Sequence, residues 1–346
     1  MGGVRSHMVN YARLSAISSF LPDQVEDNTF LAEMFPEWSA EKIGSKTGIR
    51  QRHIARPDEF VSDLAVGAGR RLVAEHAVDL GTVDHLIVCT QSADLHMPVT
   101  AAIVHARLGL RQDCGANDIN LGCSGFVYGL GLAKGLIETG QADNVLLITA
   151  ETYSKFLNPA DKSVRTIFGD GAGATLITGG GTADSLAAFV YGTDGSGGKD
   201  LIVPRGGLRS GNDLAGGAES DPVARGLEPS RWDLYMNGPA IFNFTLRVVP
   251  SCVAEVANKA GLDLDQIDLF VFHQANKFML THLAKKVGVP TDKLYMCMED
   301  SGNTVSATIP IALGDAMARG AAKPGMRVMM VGFGVGLSWG GLVATL

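Results

Sequence analysis

No pair among the five cysteines forms a C-x-x-C motif, and their number is odd, which excludes a disulfide framework as the organising device. The eight histidines show neither H-x-x-x-H nor mixed Cys/His ligand spacing, so no metal site is read. Charge is sparse: 19% of residues are charged, the formal net charge is -7, and no long Lys/Arg run occurs. That balance argues against nucleic acid as the main partner. No stretch of 18 or more residues is both apolar and free of charge or glycine, so no membrane span is expected. The opening MGGVRSHMVNYARL lacks the long apolar core of a signal peptide, and a cytoplasmic location is the simplest expectation. The first eight residues are set aside, because an apolar strand-like pattern begins only near Val9.

What the chain does have is apolar residues and glycine. Of its 346 residues 46% are hydrophobic, ample for a large core, and its 43 glycines cluster rather than scatter. Such clusters mark close backbone approaches or tight turns. Apolar runs of strand length alternate with amphipathic helical stretches, which points to an α/β architecture. The runs include His85–Thr90, Val145–Thr149, Ala174–Thr178, Leu269–Phe272 and Val328–Val331. Most are continuous, as strands covered on both faces should be.

The order of the pieces occurs twice. VDHLIVCTQSAD, a helix-like segment, NLGCSGFVYGLGLAKGLIETG, NVLLITAE and FGDGAGATLI are matched by IDLFVFHQANKF, a second helix-like segment, EDSGNTVSATIPIALGDAMARG, RVMMVGFG and SWGGLVATL. Asp84 to Cys123 spans 39 positions and Asp268 to Asn303 spans 35; Cys123 to Val145 spans 22 and Asn303 to Val328 spans 25. A duplicated unit of about half the chain follows, with halves expected at 9–180 and 181–346. The Gly-, Ser- and Asp-rich stretch from Gly179 to Gly217 reads as the connection plus surface loops; the long loop Leu201–Ser230 has no reading.

The repeat puts Cys123 and Asn303 at equivalent points, each at the start of a helix that follows a short strand, and His273 at the end of the strand before the Asn303 unit. Open α/β sheets place their sites at such carboxyl ends, where two halves meet. Cys123, in L-G-C-S-G-F, would sit at a helix N-terminus where orphan amides and the macrodipole favour thiolate. Most cysteines are small buried apolar residues, and Cys89 and Cys252, inside apolar runs, read that way. A single histidine is most simply a hydrogen-bonded core residue and a single asparagine a helix cap. Together at matching junctions, the three supply a nucleophile and two hydrogen-bond donors. The Gly-rich F-G-V-G-L-S-W-G near the C-terminus offers backbone amides for an oxyanion hole. It is no phosphate loop, since G-x-x-x-x-G-K-[ST] is absent, and G-D-G-A-G-A after Phe168 precedes a strand instead of opening a helix, unlike a dinucleotide-binding turn.

These residues resemble the β-ketoacyl-acyl carrier protein synthase III family along nearly the whole chain, through Thr47–Ala55 (T-G-I-R-Q-R-H-I-A), Gly122–Phe126 (G-C-S-G-F), Phe168–Ala174 (F-G-D-G-A-G-A), His273–Asn276 (H-Q-A-N) and Gly302–Thr304 (G-N-T). The resemblance implies a thiolase-like, duplicated αβαβα five-layer fold. It also implies a ping-pong condensation: Cys123 takes an acyl group from a thioester, expected to be acyl-coenzyme A; malonyl-carrier protein then enters; His273 and Asn303 donate to its thioester carbonyl as carbon dioxide leaves. The amides of Cys123 and Val335 would hold the oxyanion. By the same likeness Trp38 would stack on adenine, with Lys46 and Lys162 near the phosphates, where the family usually has arginines; lysine keeps the charge without the bidentate fork. Gly238, Phe242 and Asn276 match pantetheine-tunnel positions. Lys277, Lys285 and Lys286 look like a docking patch for acyl carrier protein, while Asn243 stands where a basic residue is often found. Met97 takes the place of a Phe that crosses the interface of a homodimer to line the acyl pocket; methionine is the more adaptable, which suggests a primer other than acetyl. Ala40–Gly44 looks like an insertion. Acyl-coenzyme A and malonyl-carrier protein are substrates, and no metal or redox cofactor is implied. A degradative thiolase would need a second cysteine in the F-G-V-G loop, which has none. Acyl transfer to a hydroxyl or amine without decarboxylation, and an inactive acyl-binding partner subunit, are the alternatives; an amide at Asn303 rather than an acid favours condensation, and an intact Cys/His/Asn set argues against inactivity.

Overall fold

The computed structural model describes residues 10–207, 221–229 and 232–346. The first eight residues, and much of the long loop that had no reading, lie outside them. From the N-terminus come β1 (Arg13–Phe20), β2 (Val25–Asp27), α1 (Asn28–Met34), α2 (Ala40–Thr47), β3 (Gln51–His53), α3 (Val61–His76), β4 (His85–Cys89) and α4 (Thr100–Leu108). Then follow β5 (Gly115–Ile119), α5 (Gly125–Glu138), β6 (Asn144–Glu151), α6 (Lys162–Arg165), β7 (Gly171–Thr178), β8 (Leu186–Thr193) and β9 (Leu201–Ile202). The remainder is β10 (Tyr235–Met236), α7 (Gly238–Ala260), β11 (Leu269–Phe272), α8 (Lys277–Val287), α9 (Thr308–Ala318), β12 (Arg327–Gly334) and β13 (Ser338–Thr345).

Two sheets carry the fold, in the orders β1-β7-β6-β4-β5 and β11-β12-β13-β8. Read from the parallel end they are the same sheet. β4 pairs β6 in parallel as β11 pairs β12, and the next two pairings are antiparallel in each. The duplication seen in the sequence is therefore a structural one. It is incomplete at one edge: the counterpart of β5 is a single parallel bridge, Phe270 with Leu294. Asn303 thus follows a bridge where Cys123 follows a strand.

α3 and α4 cover the outer face of the first sheet, and α7 covers that of the second with α8 beside it; α5 and α9 lie between, touching strands of both. The result is the five-layer thiolase-like fold. α5 buries Phe126, Val127, Leu130, Ala133 and Ile137 completely, because a central helix must be apolar nearly all round. Each of the four larger side chains contributes roughly 1.5–3 kcal/mol of burial. β6 and β12 are buried along almost their whole length, as their unbroken apolar runs require. α7 is long and apolar enough to cross a membrane by length and composition, but half of that stretch is buried inside the protein, where it packs on β8, β12 and β13.

One expectation needs correction. The Gly179–Gly217 stretch is not only connection and loops: it contains β8, the edge strand that completes the second sheet. Ala40–Gly44, which looks like an insertion in the sequence, forms the opening of α2, capped by the Ser39 hydroxyl on Lys42 N–H.

Candidate active site

Cys123 lies just ahead of α5, in the turn closed by the Gly125 N–H on the Gly122 carbonyl. Strand β12 runs hard against it. A Cβ on Gly332 would meet the Cys123 carbonyl oxygen at 2.6 Å, and one on Gly334 would meet Sγ at 2.8 Å, so only glycine fits at these alternate positions. The turn beyond β12 is tied to the start of α5: Ser338 Oγ donates to the Val335 carbonyl at 2.8 Å and lies 2.7 Å from Ser124 Oγ. The backbone N–H groups of Cys123 and Val335 both face the sulfur.

His273 directly follows β11, its N–H donating to the Val331 carbonyl of β12 at 2.8 Å. Its ring meets Phe333 edge-on with centroids 5.3 Å apart, and Nδ1 lies 2.7 Å from Thr308 Oγ1. Burial pushes its pKa down to about 3, so the imidazole is neutral at ordinary pH.

Asn303 is held by backbone on both sides. Its N–H donates to the Ile167 carbonyl and its carbonyl accepts from the Gly169 N–H, each at 3.0 Å, in a parallel bridge centred on Phe168. The F-G-D-G motif is thus the seat of Asn303; a Cβ on Gly169 would strike the Ser301 carbonyl at 2.4 Å. Behind it Arg52, fully buried, donates from Nε and Nη2 to the Thr166 carbonyl and from Nη1 to Asn28 Oδ1 at 2.6 Å. Burial lowers its pKa to about 10. Asn303 Oδ1 accepts from the Val305 N–H at 2.9 Å, an Asx turn in place of the ordinary helix cap, and this leaves Nδ2 for other work.

One cavity of about 470 Å³ is lined by Cys123, His273 and Asn303 together with Gly238, Phe242, Asn276, Phe278, Met236 and Leu201. Its size suits a small-molecule chain. Asn276 also caps α8, accepting from the Met279 N–H at 2.8 Å. A larger open cleft of about 770 Å³ between β1, α3 and α9 holds none of the residues singled out from the sequence.

Other expected residues stand apart. Trp38 is ringed by Lys46, Lys162 and a third lysine, Lys42, with Nζ atoms 5.2, 5.6 and 5.3 Å from the ring centroid. Lys162 is paired with the Glu37 carboxylate. Lys277 opens α8, and Lys285 and Lys286 lie in its last turn. Met97 is 84% exposed and does not line the cavity of its own chain. The expectation of a resting thiolate is not met: burial first, and Glu151 second, push the Cys123 thiol well above its usual pKa, while its own N–H and that of Val335 pull the other way. At rest Cys123 is a thiol.

Glu151 escaped the sequence reading. It is fully buried at the end of β6, accepts from Ser306 Oγ and Ser92 Oγ at 2.8 Å each and from the Gln91 N–H, and has its pKa raised to about 8, chiefly by burial. A charged residue closing a buried, largely apolar strand was the available sign, akin to the one that drew attention to His273. Lys42 was legible once 40–47 is read as a helix, being one turn before Lys46. Thr308 carried no sign of its own.

The profile of the 3-oxoacyl-[acyl-carrier-protein (ACP)] synthase III family matches residues 117–195, and that of its C-terminal part matches residues 257–346. The β-ketoacyl-[acyl-carrier-protein] synthase III of Caldanaerobacter subterraneus subsp. tengcongensis is 37% identical over 328 residues, 95% of this chain and 96% of the relative. This chain belongs to the β-ketoacyl-acyl carrier protein synthase III family. A synthase III of Streptomyces coelicolor is 38% identical over 98% of both chains. A crystal structure of a 3-oxoacyl-(acyl-carrier-protein) synthase III superposes with a TM-score of 0.92 at 47% identity, covering 97% of this chain and 100% of that one. Among the described residues no group of three or more His, Cys, Asp or Glu is arranged to hold a metal ion.

Proposed function

We propose that this protein is an acyltransferase that condenses an acyl thioester primer, acyl-coenzyme A, with malonyl-acyl carrier protein to give a β-ketoacyl thioester through an acyl-Cys123 intermediate. The observation that carries the reading is the convergence of Cys123, His273 and Asn303 on one cavity, with the N–H groups of Cys123 and Val335 aimed at the sulfur. The sulfur attacks the primer carbonyl, the C–S bond to coenzyme A breaks, and the thiol proton leaves with the departing thiol. In the second half-reaction the malonyl C–C bond to carboxylate breaks and its electron pair becomes an enolate. His273 and Asn303 donate to the enolate oxygen. The enolate carbon attacks the acyl carbonyl, whose oxyanion the Cys123 and Val335 amides hold; the intermediate collapses, the C–S bond to Cys123 breaks, and the released thiolate takes a proton from solvent to restore the resting thiol. No step calls for a metal or redox group.

Trp38 stacks on the adenine, and Lys46, Lys162 and Lys42 face the phosphates. Gly238, Phe242 and Asn276 line the pantetheine path, and Lys277, Lys285 and Lys286 dock the acidic carrier. All five cysteines are free thiols, as a reducing cytoplasm allows.

The working form is a homodimer. β5 is the edge of the first sheet, and beside it Leu95, Met97 and Val99 expose apolar side chains that a second copy would cover. Met97 then enters the partner's acyl pocket. Met97→Phe should narrow the primer range toward acetyl in initial-rate assays over a panel of acyl-coenzyme A chain lengths. Strong acetyl preference in both forms would remove Met97 from the pocket.

The reading is tested by intact-mass analysis after incubation with mixed acyl-coenzyme A species, followed by malonyl-carrier protein. One acyl mass should appear on Cys123, block its alkylation by iodoacetamide, and disappear with release of carbon dioxide. Acyl transfer without carbon dioxide would mean transfer to a hydroxyl or amine instead, and absence of a selective, protectable thiol would mean an inactive subunit.

A further inference from the structure

Asn303 and His273 are each tied from behind through Val305. That residue, fully buried and β-branched, holds φ at 55° in the left-handed region, a conformation retained only where its surroundings impose it. Its N–H is committed to Asn303 Oδ1 at 2.9 Å. A backbone N–H can only donate, so the amide oxygen must lie on that side and Nδ2 carries the hydrogens left for the cavity.

On the other side of Val305, Thr308 Oγ1 lies 2.7 Å from His273 Nδ1 and 2.9 Å from the Val305 carbonyl. The hydroxyl has one proton and can give it to only one of the two. The Val305 carbonyl already accepts from the Thr308 backbone N–H. Among the described residues Nδ1 has no other hydrogen-bond partner than this hydroxyl, is the nearer acceptor, and is the more basic atom. The balance therefore favours donation to the ring. We propose that Thr308 is a positioning residue that donates its hydroxyl to Nδ1 and so holds neutral His273 in the tautomer with hydrogen on Nε2.

The consequence is that both polar arms of the cavity end in N–H donors, one fixed by a backbone N–H and the other by a hydroxyl. With burial keeping the ring neutral, a second ring proton cannot supply the donor, and the tautomer decides whether His273 can donate at all. The value of that donor to catalysis rests on the proposed condensation; the tautomer itself does not.

The test uses protein labelled with nitrogen-15 in histidine, with the His273 resonances assigned by their loss in His273→Gln. Wild type should show hydrogen on Nε2 and a bare Nδ1. Thr308→Val should disturb that pattern and slow decarboxylation of malonyl-carrier protein roughly 10- to 100-fold, the loss expected for one hydrogen bond to a buried reacting group, with acylation of Cys123 within about threefold. Thr308→Ser should restore both. Hydrogen on Nδ1 in the wild type, a Val variant with unaltered tautomer and decarboxylation, or a Ser variant as impaired as Val would each overturn the proposal. Should wild type fail to decarboxylate malonyl thioester, the functional reading falls while the spectrum still decides the role of Thr308.

Discussion

Asn303→Asp should leave acylation of Cys123 within about threefold of wild type and lower condensation about 100- to 1,000-fold, the effect of losing one preorganised donor at an oxyanion. The variant should fold, because one carboxylate oxygen can keep the bond from the Val305 N–H that Oδ1 makes now, and the backbone bridge to Phe168 is untouched. What changes is the atom that faces the cavity. Nδ2, a donor, becomes an oxygen that as a carboxylate repels the enolate. Asn303 is only 5% exposed, so the new carboxyl should itself titrate high. Protonated, it can donate again. Condensation by the variant should therefore recover as pH falls, whereas the neutral His273 gives the wild type no such dependence near neutrality. Single-turnover experiments that follow the acyl mass on Cys123 and carbon dioxide release separately check both halves. Equal losses in the two half-reactions would mean that Asn303 serves the cavity as a whole instead of the enolate.

How far this site could be read before the fold was seen depended on burial. Strands covered on both faces show as unbroken apolar runs, and His273, directly after the apolar β11, stands out for that reason. Cys123, His273 and Asn303 were legible through the repeat, which aligned two junctions that no single motif would have paired. β8 was not, because an edge strand is half exposed and its mixed LAAFVYGT run follows a glycine-rich turn. The resting state of Cys123 was misread for the opposite reason. A helix N-terminus is visible in sequence, but the burial that outweighs it, and the carboxyl of Glu151 nearby, belong to the packed molecule. Thr308 lies five residues beyond Asn303 in the same segment, yet its link to His273 crosses from α9 to the end of β11. Met97, 84% exposed and away from the cavity of its own chain, gains a role only through the proposed homodimer.

Gly334→Ala should suppress acylation and alkylation of Cys123 at least about 100-fold without removing the sulfur, and destabilise the fold by about 1–3 kcal/mol, the usual cost of overpacking. The added methyl would sit 2.8 Å from Sγ and 2.9 Å from the Cys123 Cβ, with nothing flexible to yield. Either the sulfur leaves its place under the Cys123 and Val335 amides, or the end of β12 moves away and takes Val335 with it. Both disarm the thiol. Loss of activity alone would not distinguish this from general damage to the sheet, but a coupling measurement does. Each close contact is to the Cys123 side chain, so in a Cys123→Gly background the same Gly334→Ala change should cost at least about 1 kcal/mol less in urea unfolding. Equal costs in the two backgrounds would mean that strand and sulfur are not in contact. A non-additive pair would tie the glycine-rich end of β12 to the reactivity of one atom just ahead of α5, the point at which the two halves of the duplicated fold press together.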